Sequence, residues 1–223
     1  INSGAATTAE TLIISTLAGT SMTAAQLAGF TTVTATGSGG TAEAITITDA
    51  STTISAVSAV ESYVLAGAGA NTITITGATQ GVTTAANASA QTINTGTLTS
   101  YTGTIVGNAT DTSTVLIIGA DGADVSGATL NIGAATGIDT LNQGTNGVTL
   151  SAAQHASLIG VSATAAITGS GNITIDTNTA DIVADATVVN YVLTGAGAIG
   201  FASAADNQTF TETGLLDTEA VTL

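Results

Sequence analysis

Aspartates in glycine-rich turns are the side chains of this chain best suited to chemistry. Two of them stand in the segment Gly119–Asp124, one follows Gly137, and three lie in an oxygen-rich stretch that also holds Asn178. Ca²⁺ is a hard cation that takes about six to eight oxygen ligands, which carboxylates and backbone carbonyls supply. We therefore expect calcium as the cofactor, unless each aspartate simply caps the backbone amides of its own turn. The candidate metal ligands are Asp121, Asp124, Asp139, Asp176, Asp181 and Asp185.

Other catalytic or metal-binding chemistry finds little support in the residue types present. His155 is the only histidine and the chain has no cysteine, which excludes zinc sites built from Cys and His clusters. No Gly-x-Ser-x-Gly segment marks a hydrolase nucleophile. We predict that the chain is not an enzyme and has no catalytic residue, and that His155 is structural or exposed. A β-helical polysaccharide-active enzyme with paired carboxylates is an alternative.

The charge of the chain excludes several kinds of partner. Its 223 residues include 15 Asp and Glu but no Lys or Arg, for a net charge of −15. Nucleic acid is bound by neutralising phosphates with Lys or Arg, so we expect no nucleic-acid partner. No apolar run reaches the roughly 18 residues of a membrane-spanning helix, so we expect no transmembrane segment. Only 3% of the residues are aromatic, which predicts a core of aliphatic side chains.

An internal repeat with a constant offset of 128 residues organises the chain. The matching segments are Met22–Gln26 with Leu150–Gln154, Ile45–Ile47 with Ile173–Ile175, and Tyr63–Ala70 with Tyr191–Ala198. Repeats this long indicate stacked units or tandem domains. We predict a leading segment (1–21), a first β-repeat unit (22–100), a connecting β-rich region (101–149) and a second, truncated unit (150–223).

Within each unit, short runs alternate apolar with polar residues, as Ala44–Thr48 and Asn71–Thr76 show. Such alternation predicts half-buried strands, and Gly and Asn between the runs predict turns. The expected fold is all-β, a β-solenoid or β-roll, with stacked β-sandwich repeats as the alternative. Thr23 with Gln26 and Ser151 with Gln154 have capping-box spacing, so a short helical turn should open each unit. The matched Tyr63 and Tyr191 are expected in the core.

The repeat, the Gly-Asp turns and the composition together resemble bacterial S-layer proteins and RTX-type secreted surface proteins. Residues 134–141 are similar to one degenerate copy of the calcium-binding β-roll nonapeptide of that class, in which Gly137, Asp139 and Leu141 match. The resemblance implies an extracellular or cell-surface location and calcium-stabilised β-solenoids that assemble into lattices or stalks. It implies a homo-oligomer or homopolymer as the form of the protein, with a cell-surface polysaccharide as a candidate partner.

These observations lead to one expected function and two alternatives. We expect a structural, non-enzymatic segment of a bacterial extracellular or cell-surface assembly, such as an S-layer lattice, a filament or an adhesin, that self-associates. The first alternative is a ligand-binding solenoid for ice or a neutral glycan, which needs regularly spaced threonines on one flat face. The second is the polysaccharide-active enzyme, which needs a cleft with convergent carboxylates.

Overall fold

The computed structural model describes residues 10–14, 19–35, 43–50, 52–86, 89–108, 110–133, 137–159, 167–176, 182–194, 200–213 and 220–222. These residues form a solenoid of about eight turns, nearly all of it parallel β-structure with two short helices. The prediction of an all-β fold with a solenoid architecture is confirmed. Neither described helix has the length and apolarity that crossing a membrane requires.

The first half of the solenoid contains thirteen strands and one helix in its described residues. In chain order they are β1 (Thr11–Ile14), β2 (Thr20–Met22), α1 (Ala24–Ala28), β3 (Thr32–Ala35), β4 (Ala44–Ile47), β5 (Thr53–Ser55), β6 (Ser62–Leu65), β7 (Asn71–Thr74), β8 (Gly81–Thr84), β9 (Gln91–Asn94), β10 (Thr104–Val106), β11 (Thr114–Ile117), β12 (Ala123–Asp124) and β13 (Thr129–Asn131).

The second half also consists of short strands, and its one described helix is longer than α1. Its elements are β14 (Thr140–Gly144), β15 (Val148–Ser151), α2 (Ala152–Ile159), β16 (Ile167–Gly169), β17 (Ile173–Asp176), β18 (Ile182–Val183), β19 (Asn190–Leu193), β20 (Gly200–Ala202), β21 (Thr209–Glu212) and β22 (Ala220–Thr222).

The described residues form five parallel sheets along the solenoid axis, and we number them in the order in which the chain reaches them. Sheet 1 is β1 and β3, sheet 2 is β2, β4, β6, β8, β10 and β13, and sheet 3 is β5, β7, β9, β11, β14 and β16. Sheet 4 is β12, β15, β17, β19 and β21, and sheet 5 is β18, β20 and β22. Because consecutive strands of one sheet belong to successive turns, each sheet is a stack of rungs.

The length of a rung changes along the axis. Ile45 pairs with Tyr63, eighteen residues later, in the part of the chain that alternates between sheets 2 and 3. Ile105 pairs with Leu130, twenty-five residues later, where each rung passes through sheets 2, 3 and 4 in turn. After β16, the last strand of sheet 3, the chain alternates between sheets 4 and 5, and the rungs are short again, since Ile173 pairs with Tyr191 eighteen residues later. Sheet 2 is thus replaced by sheet 4 in the middle of the molecule.

Alternation in each strand places one set of side chains inside the coil and the other outside. Inward residues of successive rungs lie in register. Aliphatic side chains therefore pack on aliphatic side chains, and each column is shielded from water. In sheet 3 the inward column consists of Ile54, Ile73, Ile93, Leu116, Leu141 and Ile167, all at most 2% exposed. Burial of a side chain of this size contributes about 1.5–3 kcal/mol, so these columns hold the rungs together.

The 128-residue offset of the sequence recurs in the strand registers. Ile45 pairs with Tyr63 in sheet 2, and Ile173 pairs with Tyr191 in sheet 4. Both tyrosines lie at the same position of their rung and are at most 1% exposed, which confirms their place in the core. Sheets 4 and 5 of the second half therefore repeat the arrangement of sheets 2 and 3 in the first. The boundaries of the units stay a prediction.

The two helices begin where the capping-box spacing predicts. In α1, the Thr23 side chain accepts a hydrogen bond from the Gln26 amide and the Gln26 side chain accepts one from the Thr23 amide. Ser151 and Gln154 exchange the same pair of bonds at the start of α2. The Asp49 carboxylate from the following rung also accepts a hydrogen bond from the Ala24 amide. The reciprocal bonds satisfy amides that the first helical turn leaves free.

Candidate functional site

Two of the candidate metal ligands, Asp124 and Asp185, accept hydrogen bonds from residues of their own turn. The Asp124 Oδ1 accepts hydrogen bonds from the Ser126 amide at 2.9 Å and hydroxyl at 2.7 Å. The Asp185 Oδ1 accepts from the Thr187 amide at 2.8 Å and hydroxyl at 2.6 Å. An aspartate that bonds two residues ahead closes an Asx turn. The alternative given above, that aspartates cap amides of their own turn, therefore describes these two residues.

Two further candidates join neighbouring rungs. The Asp121 Oδ1 accepts a hydrogen bond at 2.7 Å from the Gly147 amide of the next rung. The Asp139 Oδ2 accepts one at 2.6 Å from the Thr114 amide of the preceding rung. Burial raises the pKa of Asp139, the bond from Thr114 opposes that rise, and the negative charge of Asp111 adds to it. These carboxylates thus act as ties between rungs.

The placement of the aspartates bears on the expected calcium site. Asp176 is the last residue of β17 and is exposed, and Asp181 lies outside the described residues. In the part of the chain that the structure describes, no three acidic or histidine side chains come together as metal ligands would. Calcium binding by this protein stays a prediction.

His155, Tyr191 and Asp185 form a buried polar cluster in the second unit. His155 on α2 is 1% exposed, and its Nε2 lies 3.1 Å from the Tyr191 hydroxyl oxygen. That oxygen accepts a 2.7 Å hydrogen bond from the Asp185 amide. The hydroxyl hydrogen can therefore donate a hydrogen bond to the neutral imidazole. Burial lowers the pKa of His155 to about 4, against a rise caused by the nearby Asp185 carboxylate. At neutral pH the imidazole is uncharged.

The first unit shows the same scaffold with Val57 and Leu27 in place of Asp185 and His155. Tyr63 accepts a 2.8 Å hydrogen bond from the Val57 amide, as Tyr191 does from Asp185. The residue equivalent to His155 in the 128-residue repeat is Leu27, which is buried. The prediction that His155 is structural or exposed is thus resolved in favour of a buried position. The contact between His155 and Tyr191 joins α2 to β19, and both side chains are 1% exposed.

Three glutamines each donate hydrogen bonds to carbonyl groups of the rung before their own. We call each such set of hydrogen bonds a bracket. The Gln80 Nε2 donates to the Val57 and Val60 carbonyls at 2.7 Å each, while its Oε1 accepts from the Thr76 and Gly77 amides. Gln208 makes the equivalent four bonds one repeat later. Gln154 of the capping box also donates to two carbonyls of the preceding rung. Sequence analysis missed the bracket at Gln80 and Gln208, although their 128-residue spacing was a usable signal.

Family models, curated proteins and solved structures all give no match to this chain. One shallow groove of about 350 Å³ lies between β13 and α2, and its lining holds no carboxylate.

The outer faces of sheets 3 and 4 differ in charge. We define the sheet 3 outer face as two in-register columns that point away from the core. The first column is Thr53, Thr72, Thr92, Val115 and Thr140, and the second is Ser55, Thr74, Asn94, Ile117 and Asn142. No member of either column is charged. By contrast, sheet 4 presents Asp124 and Asp176 in its exposed positions.

Proposed function

We propose that this chain is a structural, non-enzymatic segment of a bacterial extracellular or cell-surface assembly and that it self-associates. The observation that carries the proposal is the recurrence of the same strand registers after 128 residues. A solenoid whose units repeat in register can be lengthened by adding units along one axis, since each rung contacts only its neighbours. Such a fold suits a rod or a lattice element.

The use of the polar side chains supports a structural role. The brackets of Gln80 and Gln208 and the ties of Asp121 and Asp139 connect one rung to the next. The buried bond from Gln80 to the Val60 carbonyl stiffens the axis most, because a buried polar group that loses its partner costs about 1–3 kcal/mol, whereas the bond of Asp121 is exposed to solvent and contributes less. The net charge of −15 keeps the rods apart until ions screen it, so the ionic conditions would control assembly.

Electron microscopy and sedimentation velocity test this proposal directly. The purified chain is examined over a range of concentrations, with and without Ca²⁺ and with NaCl of the same ionic strength. We expect filaments, sheets or concentration-dependent oligomers. A single monomeric species at every concentration and in every buffer would contradict the proposed self-association.

A second candidate function is favoured by the threonines of the sheet 3 outer face. Thr53, Thr72 and Thr92 lie in register on successive rungs, about 4.8 Å apart in a parallel sheet. Such a row of hydroxyls and methyls could order water, as binding to ice requires. Measurement of thermal hysteresis with the purified chain tests this candidate, and a freezing point equal to the melting point of ice would exclude it.

A further inference from the structure

Sheet 2 ends midway along the solenoid, and the last side chain of its inward column is not fully covered. That column runs in register through Ile45, Tyr63, Val82, Ile105 and Leu130. The first four side chains are at most 1% exposed, whereas Leu130 on the last strand, β13, is only partly buried. On the last strand of sheet 3, by contrast, Ile167 is 1% exposed. The rung that follows β13 therefore leaves the end of sheet 2 incompletely covered.

The backbone of β13 has an edge with no strand beside it. In a parallel pair, alternate residues of a strand bond to one neighbour, and the residues between them face the other side. The Thr129 amide donates a hydrogen bond to the Gly103 carbonyl, just before β10, so the amide and the carbonyl of Leu130 face away from β10. Among the described residues, β13 is the terminal strand of sheet 2. In this part of the chain, the Leu130 backbone therefore offers a free donor and a free acceptor at a sheet edge.

A groove lies along this edge, and helix α2 forms its opposite wall. The helix belongs to the next rung, because it follows β15, which pairs with β12 of the preceding rung. The Gln154 side chain of α2 donates to the Val125 and Ala128 carbonyls, which holds the helix beside the turn that precedes β13. The volume of the groove is about 350 Å³, near the lower end of the range of about 300–1,000 Å³ for ligand sites. It has room for a short extended chain but not for a folded domain.

The charges around the groove indicate what kind of segment fits it. Its walls carry hydroxyl, amide and aliphatic groups but no charged side chain. Two exposed carboxylates stand at its border. Asp124 bonds to Ser126, which lines the groove. Asp176 is the register partner of Ser151, which also lines it. Positive charges at the ends of an incoming segment would be attracted to these carboxylates, whereas negative charges would be repelled.

We propose that the β13 edge binds an extended, basic segment of another protein, which adds to sheet 2 as a further strand. Backbone hydrogen bonds to Leu130 supply affinity, and an apolar side chain of the segment covers the Leu130 side chain, as in other cases of strand addition. The three residues of β13 span about 10 Å, so the paired part of the segment is equally short. This chain has no Lys or Arg, so a second copy cannot supply the cations. The inference therefore does not rest on the proposed self-association.

Two peptides of equal charge test the strand addition. The probe is a fluorescently labelled peptide of sequence Lys-Val-Thr-Val-Lys with blocked ends, and the control carries N-methyl groups on its three central residues. Non-specific attraction to the polyanion is the same for both, but the control cannot donate backbone hydrogen bonds. Fluorescence anisotropy gives the dissociation constants. We expect N-methylation to raise the dissociation constant at least about tenfold.

A third peptide tests the charge preference. It has glutamate in place of both lysines and is otherwise identical to the probe. We expect its dissociation constant to be at least about tenfold higher than that of the probe at low ionic strength. The difference should shrink as NaCl is added, because salt screens the attraction between the lysines and the bordering carboxylates.

Matched tryptophan substitutions on α2 locate the site. Ala153 is exposed and lines the groove, whereas Ala156 is exposed on the same helix but does not line it. A tryptophan at position 153 would fill the space that the peptide needs. We expect Ala153→Trp to raise the dissociation constant of the probe at least about tenfold and Ala156→Trp to change it less than about twofold. Circular dichroism compares the folds of the two variants, and the N-methylated control needs no variant at all.

Carbodiimide coupling gives an independent readout of the position. The reagent takes up the water that is released when a lysine of the probe forms an amide with a nearby carboxylate. No lysine of the chain itself competes. We expect mass spectrometry to find the probe on Asp124 or Asp176, and far less coupling there with the N-methylated control.

The outcomes separate this inference from the proposed function. Failure of the probe to bind at millimolar concentration overturns the inference, and so does equal affinity for the probe and its N-methylated control. Equal effects of Ala153→Trp and Ala156→Trp have the same meaning. If Ala153→Trp weakens self-association of the chain and leaves peptide binding unchanged, the groove belongs to a second copy and the inference is wrong. A chain that stays monomeric but binds the probe at this site would support the inference and contradict the proposed self-association.

Discussion

Replacement of His155 by leucine should remove an acid-sensitive part of the stability of this protein. Leucine is the residue that the first unit carries at the equivalent position 27, so the scaffold accepts it. The exchange loses the 3.1 Å contact with the Tyr191 hydroxyl and gains apolar burial. Since each effect is on the order of 1 kcal/mol, we expect the two proteins to have similar free energies of unfolding near neutral pH.

The difference should appear on acidification. The pKa of His155 is lowered from 6.5 to about 4 in the folded protein, so between these values the unfolded chain binds more protons. The stability that the neutral imidazole confers is complete above pH 6.5 and is lost as the pH falls through 4. At about 1.4 kcal/mol per pKa unit, the loss is about 3 kcal/mol. His155→Leu has no such loss.

Urea unfolding followed by circular dichroism, at intervals from about pH 7 to about pH 4, measures this difference. The carboxylates are common to both proteins, so the comparison isolates His155 together with its interaction with the nearby Asp185 carboxylate. Because the chain has a single histidine, its imidazole proton resonance also reports the pKa without ambiguity. A constant difference in stability across the whole range, or a titration midpoint near the ordinary value of 6.5, would refute the reasoning.

Three other substitutions or conditions have outcomes that follow from the contacts. Gln80→Leu should lower the free energy of unfolding by about 3 kcal/mol, because it leaves two carbonyls and two amides of the bracket unpaired. The control Thr83→Ala, at an exposed position, should lower it by less than about 0.5 kcal/mol in the same urea assay. Gly171→Ala should prevent stable folding, because an added Cβ overlaps the Asn146 carbonyl. At the control position Gly147, an added Cβ would lie 3.5 Å from its nearest neighbours, so Gly147→Ala should cost about 1 kcal/mol or less, as measured by thermal melting. If a calcium site exists, the melting temperature should rise more with millimolar CaCl₂ than with NaCl of equal ionic strength, and equal shifts would leave only screening.

The features that the sequence predicts correctly are those that depend on residues close together in the chain. Alternation in segments such as Asn71–Thr76 fixes which side chains face inward, because the period of a strand is two. The capping boxes involve partners only three residues apart. The constant offset of 128 residues placed Tyr63 and Tyr191 at equivalent positions, and both are in the core.

The features that sequence analysis missed depend on pairing between rungs of unequal length. Rungs of eighteen residues at Ile45–Tyr63 and of twenty-five at Ile105–Leu130 leave no short period to detect. The replacement of sheet 2 by sheet 4 therefore could not be anticipated. The roles of Gln80 and of Asp139 involve partners about 20 and 25 residues away, and which turns come to lie side by side is decided by the packing of the core.

The replacement of sheet 2 by sheet 4 has a mechanical consequence. Sheet 3 runs from β5 to β16 and lies beside both the last strands of sheet 2 and the first strands of sheet 4. Sheets 2 and 4 therefore overlap for part of the axis, as the two pieces of a lap joint do. A pull along the axis loads the hydrogen bonds between rungs, and the overlap shares that load among three ladders rather than two. Two-strand rungs should therefore yield first. Each would release about eighteen residues, or roughly 60 Å of extended chain, whereas each rung of the joint would release about twenty-five, or roughly 85 Å, at a higher force.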